Sequence, residues 1–322
     1  MIATFIRRNM RVLIPAAAFA ILFSVYIGTH PRGLSSYVLT IWSNQTALLA
    51  FAALAQFFVV LVRGIDLSVG AVVALTNVVA SHVLDGQTVP VFVGVLLVLG
   101  TGALCGLVSG LFVAFGRIPA IIATLATGAV YSGLALWLRP TPGGAVDEAL
   151  SDALTYTIGP VPTSLVIILL IVVLGTLLLR RSTFGLSLYG LGSSEHSAEL
   201  TGIDVRWTRV KAHALGGLCA GFGGFYVAMV TLTGDAGIAP AYTLNSIAAI
   251  VLGGVSLAGG AGTILGVVIG TMLLKTIAAL MFFSGLPPLA QPFFEGLILA
   301  AAIAAGAFGI LRVRNKLKLF SQ

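Results

Sequence analysis

Residues 63 to 77 read RGIDLSVGAVVALTN and lie inside an otherwise apolar run from Thr46 to Leu84. A membrane-spanning helix excludes Arg63 and Asp66 unless protein or water receives their charges. Gly64 and Gly70 permit backbone conformations that end one helix and begin another. Asp66 or Ser68 is then placed to cap the free amides of a helix starting near Val69. The stretch predicts a broken helix, and its carboxylate serves either the helix end or a passing solute. Ile65 and Leu67 keep the turn packed, because irregular backbone at membrane depth must be buried in protein or line water.

The composition places this break in a polytopic all-α membrane protein. Charged residues are 8% and hydrophobic residues 58% of the 322, whereas about a quarter of a soluble domain is charged. Apolar runs predict about ten transmembrane helices, near 12–29, 46–62, 70–84, 90–115, 119–138, 162–179, 212–233, 243–257, 262–283 and 289–311. The N-terminal run follows Arg7, Arg8 and Arg11 and lacks a small-residue cleavage site, so it reads as a retained first helix. No stretch has the length of a separate soluble domain, and the chain reads as a single transmembrane domain over 1–322.

The net charge of +7 raises the question of nucleic acid, and the placement of the charges answers it. With the N-terminus cytoplasmic, the inner segments carry fourteen of the seventeen basic residues, leaving Arg32 and Arg139 outside and Lys275 within a span. This is the asymmetry that orients membrane proteins, with both termini inside, and no nucleic acid is called for. The outer segment 139–161 is rich in Pro, Gly and acidic residues and reads as a cover for the outer mouth, as a receiver of a partner, or as a solvated acidic loop with no receptor role. The inner segment 180–211 is too polar to span, and a short helix is expected from Ser194 to Thr201. Cys105 and Cys219 fall in predicted spans and suggest no disulfide framework.

A second stretch repeats the first. RGIDLSVGAVVAL (63–75) aligns with GGVSLAGGAGTIL (253–265), pairing Gly64 with Gly254, Leu67 with Leu257, Gly70 with Gly260 and Leu75 with Leu265. Both follow an inward-running helix. Paired Gly-interrupted segments mark the transport site in repeated membrane folds, although Gly, Ala and Leu are common enough here to match by chance.

Other polar residues fall inside spans. Thr124, Thr127 and Tyr131 share one helical face, as do Asn77 and Ser81. They either line a polar pathway or bond to their own helices and neighbours. Lys275 and Glu295 are predicted at matched depths in adjacent helices, which suggests a structural ion pair rather than a proton relay. His82 and His213 have no second ligand at metal-site spacing, so no metal is expected. No nucleophile stands with a base, and no G-x-x-x-x-G-K-[ST] phosphate loop is present, so no enzymatic activity is expected of this chain.

The GIDLSVG element resembles the GGIDLSVG element of permease subunits of bacterial ABC importers for monosaccharides, the ribose, xylose and galactofuranose type. RIPAIIATLATGAVYSGLAL (117–136), YTLNSIAAIVLGGVSLAGGAGTILG (242–266) and the inner-loop run STFGLSLYGLGSSEHSAELTGIDV are similar to further segments of that family. Departures are Arg63 where glycine is usual, Ser132 where arginine is common, Asn245 where many members have aspartate, and Ser194, Ser197 and Glu199 in the inner loop. The resemblance implies a pathway formed by two permeases, this chain with a second copy or a similar permease, in a bacterial inner membrane. Two cytoplasmic ATPase subunits holding ATP-Mg would drive it, and a periplasmic or extracellular sugar-binding protein would deliver a pentose or hexose. The 180–211 segment would be the coupling loop, with Glu195, Ala198, Gly202 and Ile203 at its centre and the small Ala198 and Gly202 permitting close approach of the ATPase. Asn245 joins the candidate pathway residues. Rival readings are a branched-chain amino acid or nucleoside permease of the same superfamily, or a self-sufficient secondary transporter.

Overall fold

The computed structural model describes residues 2–287 together with positions 290, 293, 294, 296, 297 and 300. The helices are α1 (Ile2–Thr29), α2 (Ser36–Leu61), α3 (Val69–Val83), α4 (Val91–Ala114), α5 (Ala120–Leu138), α6 (Glu148–Thr155), α7 (Thr163–Arg181), α8 (Thr183–Ser193), α9 (Glu195–Leu200), α10 (Val205–Thr231), α11 (Ala239–Leu252) and α12 (Ile264–Phe283). A minimal hairpin of β1 (Thr157–Ile158) and β2 (Val161–Pro162) follows α6. Among the described residues, seven helices are long and apolar enough to cross a membrane: α1, α2, α4, α5, α7, α10 and α12. The apolar α3 is shorter, as is α11 with the turn of 3-10 helix before it. The expected span 289–311 lies mostly outside the described residues.

Local chemistry sets the helix starts. Pro90, Pro119 and Pro162 occupy the N-caps of α4, α5 and α7, where a missing N–H leaves no intrahelical bond unmade. Ser35, Asp147, Ser182, Ser194, Asp204 and Thr263 each accept a hydrogen bond from an amide of the first turn that follows. Several starts differ from the sequence expectation, with α1 beginning at Ile2 rather than 12 and α11 at Ala239 rather than 243. The helix expected at 46–62 begins at Ser36, because the polar Ser43 and Asn44 are satisfied inside the protein: Ser43 shares a hydrogen bond with Ser164 (2.6 Å), while Asn44 donates to the Thr155 carbonyl (2.9 Å) and accepts from Tyr226 (2.9 Å). The helix expected from 212 begins at Val205, capped by Asp204.

The bundle is organised around α2 and α10. In α2, 89% of the apolar window is buried, against 28% in α4, so α2 runs through the interior and α4 along the periphery. α10 presents glycine toward its neighbours. A side chain at Gly106 would meet the His213 carbonyl and the Gly217 Cα, and one at Gly217 would meet the Gly102 carbonyl and Gly106. Gly224 likewise abuts the backbone of α3 at Val73 and Asn77. Close backbone approach of this kind lets dispersion hold helices together where lipid is as apolar as the side chains. Large apolar side chains such as Phe92, Leu104, Ile122 and Leu169 face outward.

The outer segment 139–161 is docked on the bundle. Ser151 of α6 donates to the Met229 carbonyl (2.6 Å), and Tyr226 reaches the Leu154 carbonyl (3.2 Å). The inner segment contains α8, which the sequence did not reveal, and α9 within the expected 194–201.

Candidate functional site

The two interruptions end in the same way. α2 closes with Arg63 N–H to the Val60 carbonyl (3.0 Å) and Gly64 N–H to the Val59 carbonyl (3.0 Å); α11 closes with Gly254 N–H to Val251 (3.0 Å) and Val255 N–H to Ile250 (3.0 Å). Both are Schellman motifs, whose first residue beyond the cap is left-handed. That residue is Arg63 (φ 64°) in one and Gly254 (φ 79°) in the other. The structural pairing is therefore Arg63 with Gly254, one residue off the sequence alignment of Gly64 with Gly254. Nor are Gly70 and Gly260 equivalent: Gly70 is already helical in α3, whereas Gly260 (φ 66°) precedes α12. Gly70 has no room for a side chain because Ala239 and Thr243 of α11 lie against it, and its N–H donates to the Thr243 hydroxyl (3.1 Å).

Asp66 and Ser68 depart from the expected capping. Asp66 Oδ1 accepts from the Ser68 amide (2.7 Å) and hydroxyl (2.6 Å), and Ser68, the N-cap of α3, makes no side-chain cap bond. The carboxylate thus closes a local turn. The backbone of Asp66 is held by Gln56 of α2, a fully buried residue absent from the sequence-based candidates. With its carboxamide oriented to satisfy both partners, Gln56 donates to the Asp66 carbonyl (2.7 Å) and accepts from its N–H (3.2 Å). On the other side the Thr124 hydroxyl accepts from the Leu67 N–H (2.9 Å) and lies near the Ala120 (2.8 Å) and Ile65 (3.3 Å) carbonyls. Each buried backbone group that the break releases from helical bonding needs such a partner.

The remaining polar candidates occupy packed positions. Thr127 bonds Ser109 (2.9 Å), and Tyr131 donates to the Cys105 carbonyl (2.9 Å), so both tie α5 to α4. Asn77 donates to the Thr233 carbonyl (3.0 Å) and accepts from the Asp235 N–H (2.7 Å), fixing the outer turn before α11. Asn245 of α11 is half-buried, and its side chain makes no hydrogen bond among the described residues. Lys275 borders a cavity with Tyr26, Trp42 and Gln45, and its expected partner Glu295 lies outside the described residues. No cluster of metal-ligating side chains occurs among the described residues.

The inner loop is clasped by both breaks. The Arg63 guanidinium donates from Nε to the Gly192 carbonyl (2.8 Å) and from a terminal nitrogen to the Ser193 carbonyl (2.6 Å), the free carbonyls at the C-terminus of α8. On the other side the Gly260 N–H donates to the Leu61 carbonyl (3.1 Å), and Tyr189 of α8 donates to the Gly262 carbonyl (2.8 Å). Gly192 lies against the Leu61 carbonyl and the Gly260 backbone with no space for a Cβ. α8 is therefore in direct contact with the segments leading into α3 and α12.

α9 carries the loop's outward face. Ala198 is 3% exposed and belongs to the core of its own chain, so its small side chain serves internal packing rather than contact with a partner. Gly202 (φ 81°) ends α9 in a third Schellman motif, with its N–H to Glu199 (3.0 Å) and the Ile203 N–H to Ala198 (3.1 Å); its requirement is backbone conformation. Glu195 pairs with Arg209 of α10 (2.6 Å). The exposed residues are His196, Ser197, Glu199 and Leu200, the last at 76%. The sequence signal for Leu200 was a large apolar residue within the polar run from Gly192 to Gly202.

A family model described as "Branched-chain amino acid transport system / permease component" matches residues 38–303. The ribose import permease protein of Haemophilus influenzae is 31% identical over 268 residues, covering 81% of this chain and 82% of that one. The autoinducer 2 import system permease protein of an Enterobacter species is 33% identical over 298 residues, covering 89% and 83%. The ribose import permease protein of Escherichia coli K12 is 34% identical over 238 residues, covering 72% and 73%. No solved structure matches.

Proposed function

Because the chain belongs to the family of branched-chain amino acid transport system permease components, we propose that it is the transmembrane subunit of an ATP-driven importer for a monosaccharide or a similarly small polyhydroxylated solute. The observation that carries the solute class is the similarity to ribose and autoinducer 2 import permeases along most of both chains.

In this reading the protein forms one permease domain over 1–322 with about ten spans, both termini on the cytoplasmic side of a bacterial inner membrane, and pairs with a second copy or a similar permease. A cytoplasmic ATPase subunit, which holds the ATP-Mg, docks on the 180–211 loop; this chain hydrolyses nothing. The exposed face of α9 suits that docking. Leu200 supplies the apolar anchor, with His196 and Glu199 beside it, and α8 relays its displacement to the two breaks. An extracytoplasmic sugar-binding protein seats on the outer surface, where α6 offers Glu148 and Asp152 and the hairpin offers the exposed Tyr156 and Ile158. Thr124, Thr127, Tyr131 and Asn77 brace the helices that border the pathway, while Asn245 has polar groups left to offer a solute.

The test is uptake of labelled pentoses and hexoses into proteoliposomes containing the permease, with the ATPase and binding protein supplied separately and together. Uptake that needs ATP and all components is expected. Uptake by this chain alone, driven by an ion gradient, would overturn the reading.

A further inference from the structure

A cavity of about 300 Å³ opens among the inner ends of α2, α4, α5 and α10, and Arg63, Arg117, Arg209 and His213 line it together with apolar groups such as Val62 and Pro119. No carboxylate is among its lining residues. Arg63 and Arg209 are only partly committed: the Arg63 bonds to Gly192 and Ser193 use two of its nitrogens, and the Arg209 bond to Glu195 uses one, while a guanidinium has five donors. Arg117 makes no hydrogen bond or ion pair among the described residues and is exposed.

His213, among the lining residues, has incomplete hydrogen bonding. It is 1% exposed, and its Nδ1 lies 2.9 Å from the Arg209 carbonyl. A carbonyl only accepts, so Nδ1 carries the hydrogen and Nε2 is left with a lone pair. Nε2 is buried and has no partner among the described residues. Native proteins seldom leave such an atom unsatisfied.

The surroundings indicate what fills it. Phe115 and Trp207 meet edge to face (ring centroids 5.6 Å apart), both are exposed, and the Arg206 guanidinium lies 6.0 Å from the Phe115 ring. Exposed aromatic rings with arginine mark the level of lipid headgroups, and basic pockets between spans on the cytoplasmic side suit phosphate-bearing lipids. We propose that this pocket binds the phosphodiester of an anionic lipid headgroup, the arginines donating to phosphate oxygens and His213 Nε2 accepting from a headgroup hydroxyl. The apolar walls favour a lipid over an acidic side chain of a partner. The recognition of a phosphodiester here does not depend on which solute is carried.

The test is native mass spectrometry of the full chain released from nanodiscs of phosphatidylcholine and phosphatidylglycerol. Wild type is expected to retain phosphatidylglycerol preferentially. Arg117→Asn, which tolerates the φ of 54° at this exposed position, should lower retention about fivefold. His213→Gln should lower it as well. Displacement of the lipid by millimolar inorganic phosphate would support phosphate recognition with a soluble source. Equal retention of the two lipids, or retention unchanged in Arg117→Asn and His213→Gln, would overturn the proposal. So would loss of ATPase binding alone in those variants, which would point to an acidic partner residue.

Discussion

Arg63 occupies a backbone conformation that L side chains avoid (φ 64°), and its guanidinium holds the end of α8. The two effects separate by substitution. Arg63→Gly and Arg63→Ala both lose the bonds to Gly192 and Ser193, but only alanine keeps the left-handed strain. The alanine variant should therefore be less stable than the glycine variant by about 1 kcal/mol in thermal unfolding in detergent. Gln56 is the second residue on which the break depends. Gln56→Leu keeps the volume but leaves the buried Asp66 N–H and carbonyl unpaired, which should destabilise the protein by about 1–3 kcal/mol for each group. Outside the membrane, the Thr88 hydroxyl, followed by the Thr88 and Gln87 amides, pulls the exposed Asp85 carboxyl down to about 2. Its contribution to loop stability is present above the unfolded value of 3.8 and is lost as pH falls through about 2. Thr88→Val should move the midpoint upward, as read by carboxylate NMR.

At the scale of helices, α4 and α10 pack through glycine. Gly106→Ala would set a methyl against the His213 carbonyl and the Gly217 Cα. Backbone cannot yield as a flexible side chain does, so the folded yield should fall, with destabilisation at or above the roughly 1–3 kcal/mol of ordinary overpacking. Gly100 in α4 and Gly133 in α5 have open space where a Cβ would stand. Alanine there should leave the fold intact and raise stability by about 0.4–1 kcal/mol through the unfolded chain. The contrast, measured in one unfolding assay, distinguishes glycines that set interhelical distance from those that merely occupy helix.

At the scale of the molecule, α8 is held between two helix breaks that belong to different halves of the chain, while the Glu195–Arg209 pair tethers α9 to α10. That pair is partly exposed, with side chains 44% and 26% accessible for Glu195 and Arg209, so its share of stability is small. Arg209→Gln should cost no more than about 1 kcal/mol yet weaken the link between inner loop and bundle. The expected outcome is near-normal unfolding together with reduced ATP-driven uptake; unchanged uptake would show that α8 alone carries the connection.

Hydrophobic run length, prolines and capping residues determined the all-α membrane architecture, because they act within a few residues of themselves. RGIDLSVG and GGVSLAGG likewise announced the two interruptions. Which residue takes the left-handed conformation was not legible: an arginine does so in one break and a glycine in the other, because the carbonyls at the end of α8 receive its guanidinium. Gln56, Thr124 and Asn77 look like any polar residues in a span until the distant backbone groups they satisfy are known. The position of α8 escaped the sequence for the same reason. Its short sequence pattern is unremarkable, and contacts with residues more than 60 positions away on either side, Leu61 and Arg63 before it and Gly260 and Gly262 after it, hold it against the two breaks. Local propensity determines where a chain bends; which unsatisfied backbone groups meet afterwards is decided by long-range packing.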